Sequence, residues 1–195
     1  MKKLILLLFI GSCLLFAGCI KQLDKTFTGK TVAELDPTVL NSTAVGVTYP
    51  ILTRKAREGV PIATTDSTLR RISGTVSLRV NLVGAQSDKD ETVGYTVFNS
   101  PITSISFPAT ATGQTPSQPA GTLAVSTAVP GTHYTALSGK VTIPAKSSYG
   151  FIDVQILNAG PTAGQARFVG IRLDSTGSIL PSPNYLQIGL VIDQR

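Results

Sequence analysis

The chain predicts an all-β protein, an antiparallel β-sandwich of about seven to nine strands. Three observations predict it. Between residues 72 and 82 apolar and polar side chains alternate, the period of a strand with one covered and one wet face. Further short apolar runs follow at intervals of roughly ten to fifteen residues, separated by Gly, Pro and Asn, and none carries a helical period. The composition agrees: Thr, Ser, Val and Gly are abundant, charged residues make up only 14%, and Trp is absent.

The first segment belongs to no sandwich. Lys2 and Lys3 open the chain, and an apolar stretch runs from Leu4 to Phe16, broken only by Gly11, Ser12 and Cys13. At helical rise it would reach roughly 20 Å, too short for a comfortable membrane span. A basic start, a short apolar core and small residues at the exit read as a signal peptide. That exit, Phe16-Ala17-Gly18-Cys19, resembles the bacterial lipobox, with Phe16 where Leu is commoner. The resemblance implies cleavage between Gly18 and Cys19 and acyl chains on Cys19. Two or three chains hold a protein on a bilayer far more firmly than one, each buried methylene contributing about 0.8 kcal/mol. The expected organisation is therefore a signal peptide at 1–18, a lipidated tether with a first edge strand at 19–43, and a sandwich domain at 44–195.

Within the tether, Thr31 to Leu35 forms the edge strand; at the start of the domain, Val45 to Tyr49 forms a second short strand stopped by Pro50. Residues 53–71, with Arg54, Lys55, Arg57, Arg70 and Arg71, read as a long exposed connection, with a specific anion site as the alternative. Ile72 to Leu82 is the strongest strand. Gly84 to Glu91 supplies a polar turn, and Val93, Tyr95 and Val97 continue as its partner, making 72–98 a hairpin. Ile102 to Phe107 is a short strand, and Pro108 to Gly121 a mobile loop without apolar pattern. Leu123–Ser126, Lys140–Ile143, Gly150–Leu157, Ala166–Leu173 and Tyr185–Ile192 complete the strands.

One stretch is more specific: Pro130-Gly131-Thr132-His133-Tyr134, then Gly139-Lys140-Val141-Thr142-Ile143-Pro144, then Ile152 to Asn158. Over about residues 120–192 this resembles the Calx-beta and related immunoglobulin-like sandwich repeats. The resemblance implies that Tyr134 packs between the sheets. It does not extend to that family's calcium ligands. His133 stands where calcium-binding members place aspartate, and Leu157-Asn158-Ala159 where they place paired aspartates. Calcium wants six to eight oxygens, carboxylates among them, so no metal site is expected. Lipobox, tether and sandwich together resemble Bacteroidetes-type cell-envelope lipoproteins, some of which accompany glycan-uptake systems.

Chemistry finds little purchase. Both cysteines, Cys13 and Cys19, lie at or before the cleavage point, which excludes a disulfide framework or thiolate metal site in the domain. The net charge of +6 includes two leader lysines and is too scattered for nucleic acid. His133 is the only histidine, no Gly-x-Ser-x-Gly elbow is present, and His133 reads as a surface turn residue. Asp88, Asp90 and Glu91 read as a solvated hairpin tip, and Asp153 as a lone surface charge. Asp66-Ser67-Thr68 and Asp174-Ser175-Thr176 resemble a short bacterial O-glycosylation sequence. Among the rings, Tyr149, in a turn between Ser148 and Gly150, is the best candidate for an exposed ligand-binding aromatic. The expected protein has no cofactor and no catalytic residues. It is a lipid-anchored binding or accessory module of the cell envelope, on the outer membrane, for glycan uptake or adhesion. The alternatives are an assembly partner that offers sheet edges to other envelope proteins and, third, a small hydrolase.

Overall fold

A computed structural model describes residues 29–36, 38 and 46–195. Cys19, Gly18 and the leader lie outside the described residues, as does most of the tether.

Among the described residues eleven strands form two sheets. In chain order they are β1 (Val32–Leu35), β2 (Ile51–Leu52), β3 (Thr75–Val83), β4 (Glu91–Phe98), β5 (Ser104–Phe107) and β6 (Gly121–Thr127), followed by β7 (Lys140–Ile143), β8 (Tyr149–Gln155), β9 (Gln165–Asp174), β10 (Leu180–Pro181) and β11 (Gln187–Asp193). The smaller sheet runs β10-β1-β3-β8, the larger β2-β11-β9-β4-β7, with β6 beside the first half of β9 and β5 on β6. Pairings are antiparallel except β1 with β10, β2 with β11 and β6 with β9. The all-β sandwich read from the sequence is therefore the fold.

Its connectivity differs from expectation in one large respect. β3 and β4 are not a hairpin: β3 pairs with β1 and β8, β4 with β7 and β9. Residues 84–90 carry the chain from one sheet to the other across the roughly 10 Å that separates packed sheets. Val76, Leu78 and Val80 on β3 and Val93 and Tyr95 on β4 bury their faces in the same core from opposite sides. Alternation tells which face of a strand is dry, and it is silent about the neighbour.

Smaller corrections share local causes. Ile72 is 47% exposed and lies outside β3. Gly74, at φ +68°, turns the chain first. The strand expected before Pro50 lies after it, at Ile51–Leu52, where the carbonyl of Pro50 accepts from the Gly189 amide. β1 is not the sheet edge, because β10 pairs outside it.

The principal core fills the space between the sheets and includes Tyr134, which is 3% exposed. A second cluster, with Ile51, Phe107, Leu123, Val125, Phe168 and Val191, covers the far side of β9 and β11. Successive residues of β11 are therefore buried on both faces. Gly170 and Gly189, paired across β9 and β11, make room for two rings there. A Cβ on Gly170 would lie 2.4 Å from the Phe98 ring, and one on Gly189 would lie 2.5 Å from Phe168.

The segment expected as a mobile loop, Pro108 to Gly121, is tied down along its length. Gln114 accepts from the amide and hydroxyl of Thr68 and donates to the Thr68 carbonyl at 3.0 Å. Arg70 donates to the Pro116 carbonyl at 2.8 Å, and Arg195 to that of Pro119 at 3.0 Å. Arg70 is thus no exposed residue of a connection. It is 1% exposed, beside the fully buried Asp193. Asp193 in turn is gripped by the Arg195 guanidinium at 2.8 to 3.1 Å.

Candidate functional site

The outer face of the smaller sheet collects the most unusual exposed side chains. On β8, Ile152 and Val154 point into the core. Gly150 also points inward, since a Cβ there would meet the Thr142 carbonyl oxygen at 2.3 Å. Strand geometry then sends Tyr149, Phe151 and Asp153 outward. On β3, opposite them, stand Asn81, Arg79 and Ser77.

These groups are fixed against one another. The Arg79 guanidinium carbon lies 4.3 Å from the centroid of the Tyr149 ring, a cation–π contact. Its Nε donates to Asn81 Oδ1 at 2.7 Å, and Glu58 stands 3.8 Å from another of its nitrogens. The Tyr149 and Phe151 rings meet edge to face, with centroids 5.5 Å apart. Asp153, expected to be alone, accepts from the Ser77 hydroxyl at 2.6 Å. Tyr149 does not sit in a turn. It is the first residue of β8, half-buried, with one ring face under Arg79. The freely presented ring is Phe151, 37% exposed. Phe151 and Arg79 were missed from sequence, although the alternation of residues 149–155 and 75–83 puts both on this face.

The other candidates are structural. Glu91 is buried, and hydroxyls of Ser178 (2.5 Å) and Ser87 (2.8 Å) hold its carboxyl below the usual carboxylate range. Asp90 accepts from the Ala145 amide at 2.9 Å. The acids at 88–91 are therefore not a freely solvated tip; only Asp88 has that character. Thr68 is buried with its hydroxyl on Gln114. Thr176 remains exposed beside Asp174.

His133 is half-buried and does not simply face solvent. Both ring nitrogens meet N–H groups, the Val129 amide at Nδ1 (3.0 Å) and the Arg167 guanidinium at Nε2 (3.1 Å). A neutral imidazole accepts at one nitrogen and an imidazolium at neither, so the site disfavours protonation. Burial, and then the charge of Arg167, hold its pKa down. The folded state therefore refuses a proton that the unfolded chain takes up below about pH 6.5, and stability falls as pH drops through that value. His133 is the only histidine. The melting temperature is expected to fall between pH 7 and pH 5.5, and this slope to disappear in His133→Gln; an unchanged slope in the variant would refute the assignment. His133→Ala should cost about 1 kcal/mol, the price of an unmade hydrogen bond to the Val129 amide.

Arg167 also donates to Ser126, so a cation stands between that hydroxyl and the imidazole. Such an arrangement does not activate a serine. Among the described residues no three of His, Cys, Asp and Glu converge. Asn158 Oδ1 accepts from Arg71 at 2.5 Å and from the Gly160 amide at 3.1 Å. Guanidiniums, of Arg71 and Arg167, therefore engage Asn158 and His133, the two residues at which the sequence resemblance departs from calcium ligands. Millimolar calcium is expected to leave the melting temperature unchanged; a rise of several degrees, reversed by chelator, would overturn this.

No protein-family profile matches the chain, and no curated protein matches it. Among solved structures, the apo form of the Calx CBD1 domain aligns with a TM-score of 0.47 at 11% identity, covering 85% of this chain and 97% of that one. The calcium-binding domain CBD12 of CALX1.1 aligns with a TM-score of 0.41 at 12% identity, covering 65% of this chain and 42% of that one.

Proposed function

We propose that this is a non-catalytic binding module of the bacterial cell envelope, held on the outer membrane by acyl chains on Cys19, and that the outer face of β3 and β8 receives a saccharide. The observation that carries the reading is the Phe151–Tyr149–Arg79 array. An exposed ring offers a sugar its apolar face, while Arg79, Asn81 and Asp153 bring donors and acceptors within the same patch. The strand backbone fixes these groups before binding, which lowers the ordering cost of association.

Two measurements test the reading separately. Cys19→Ser should move the protein out of the membrane fraction or leave an uncleaved precursor; processing and fractionation unchanged by the substitution would remove the anchor. Phe151→Ala should abolish retention on an array of envelope and plant-cell-wall glycans, with the melting temperature within about 2 °C of the parent, as for most surface changes. Equal retention by parent and variant would sink the sheet-face reading.

The second reading, an assembly partner, is favoured by β8 itself. Among the described residues it pairs only with β3 over Tyr149–Val154, while its far end is closed by His133, which accepts from the Leu157 amide, and by Thr135, which donates to the Gln155 carbonyl. An edge of this kind accepts an added strand. Protection of β8 amides from hydrogen exchange on mixing with an envelope partner, without glycan, would favour it.

A further inference from the structure

We infer that a second site, independent of the sheet face, lies between residues 53–65 and the 108–118 segment, and that it takes a saccharide bearing an anionic group. The groove has a volume of about 480 Å³ and is lined by Arg54, Thr64, Thr65, Thr110 and Thr112, with two alanines. That volume lies in the range of small-molecule pockets, roughly 300–1,000 Å³.

Its wall chemistry selects the ligand. No aromatic ring lines it, which argues against a flat apolar guest. Thr64, Thr65 and Thr112 are exposed, and their hydroxyls can each donate and accept, as the hydroxyls of a sugar require. The Thr110 hydroxyl is already committed to Gln118, whose amide donates to it at 3.0 Å. Arg54 uses one nitrogen on the Asp66 carbonyl. The Asp66 carboxylate is engaged elsewhere, by Arg57 at 2.8 Å and the Ala63 amide at 2.8 Å. Arg54 therefore reaches the groove as a cation without a carboxylate partner among the described residues. A planar fork of that kind binds a carboxylate or sulfate by paired hydrogen bonds.

The second wall is held in place by buried polar groups. Gln114 clamps it to Thr68, Arg70 to Pro116 and Arg195 to Pro119. A buried guanidinium is a costly means of fixing a surface segment, and an apolar contact would serve stability as well. What the clamps achieve is a rigid, hydrophilic wall facing Arg54. Gln114 is thus a positioning residue, and Arg54 the anchor.

Titration of the soluble protein (residues 20–195) with trigalacturonate, its neutral counterpart and a sulfated disaccharide tests this, followed by amide chemical shifts and calorimetry. Trigalacturonate or the sulfated sugar should shift the amides of Thr64, Thr65 and Thr110 to Thr112, and the neutral sugar should bind about tenfold or more weakly. The two anionic arms distinguish carboxylate from sulfate as the group held. Arg54→Gln should remove that preference, and Thr112→Val, at an exposed position, should weaken binding with an unchanged melt. Phe151→Ala should leave it intact, so that failure of the sheet-face reading is seen separately. Equal binding of neutral and anionic sugars, or no shifts in these amides with 10-fold excess of any of the three at about 1 mM protein, would overturn the inference.

Discussion

Asp193→Ala is expected to destabilise the domain by about 3–5 kcal/mol, the range for removing one partner of a buried ion pair. The carboxylate is fully buried, and it accepts both from the Arg195 guanidinium and from the Arg195 amide at 2.9 Å. Arg70, equally buried, lies alongside through the bridge between the two backbones. Burial works to strip Arg70 of its proton, and Asp193 works to keep it there. Without Asp193, Arg195 can turn to solvent, whereas Arg70 has no such exit and keeps only the Pro116 carbonyl. Urea melts should show the loss, and the Pro116 to Pro119 segment should become sensitive to protease. Arg70→Met is the instructive companion. It removes a buried charge and retains the volume, so its effect on stability should be small while the segment is still freed. A loss below about 1 kcal/mol for Asp193→Ala would mean that water reaches the site and screens it.

Tyr134→Ala is expected to cost about 3–5 kcal/mol, as large aromatic truncations in cores do. The ring belongs to the principal core, and burial pushes its hydroxyl pKa up. The backbone on either side is equally committed. The Tyr134 carbonyl accepts from the Gly131 amide at 2.7 Å, and Thr135 donates to Gln155 at 2.9 Å, closing the end of β8. A cavity at this point would therefore loosen both the turn and the sheet margin. In a domain of this size the melting temperature should drop by roughly 6–20 °C. The neighbouring His133→Ala, at about 1 kcal/mol, provides the contrast. Equal, small effects from the two would remove Tyr134 from the core.

Much of the sandwich was legible because strand faces obey a period of two wherever one side is dry. Thr75–Val83, Lys140–Ile143 and Tyr149–Gln155 lie where the pattern put them, give or take the residues shifted by Gly74 and by Tyr149. Tyr134 came from a resemblance, and it is buried as that resemblance implies. Partnership was not legible. Val76 to Leu82 and Val93 to Tyr95 look the same whether they share a sheet or face each other across the core. Nor did the sequence reveal that Arg70 is buried. An arginine in a segment with five basic residues, 53–71, reads as surface until a distant Asp193 is placed beside it. Phe151 was legible as an outward residue of β8 from the alternation, whereas the 37% exposure of its ring depends on its surroundings, which no local pattern encodes.

The two earliest strands depend on the two latest. β1 is flanked on its outer side by β10, and among the described residues β2 pairs with β11 alone, both as parallel pairs. A chain that emerges N-terminus first, from a ribosome or through a membrane pore, holds Val32–Leu35 and Ile51–Leu52 without those neighbours until Leu180 and Gly189 have also emerged. Among the described residues, therefore, neither sheet has its full set of strands until β10 and β11 have emerged. Distant pairings of this kind slow folding, because loop closure must precede the contacts that reward it. If the chain is exported as proposed above, that lateness has a use: a polypeptide still lacking its last strands is slack enough to be threaded through a narrow channel.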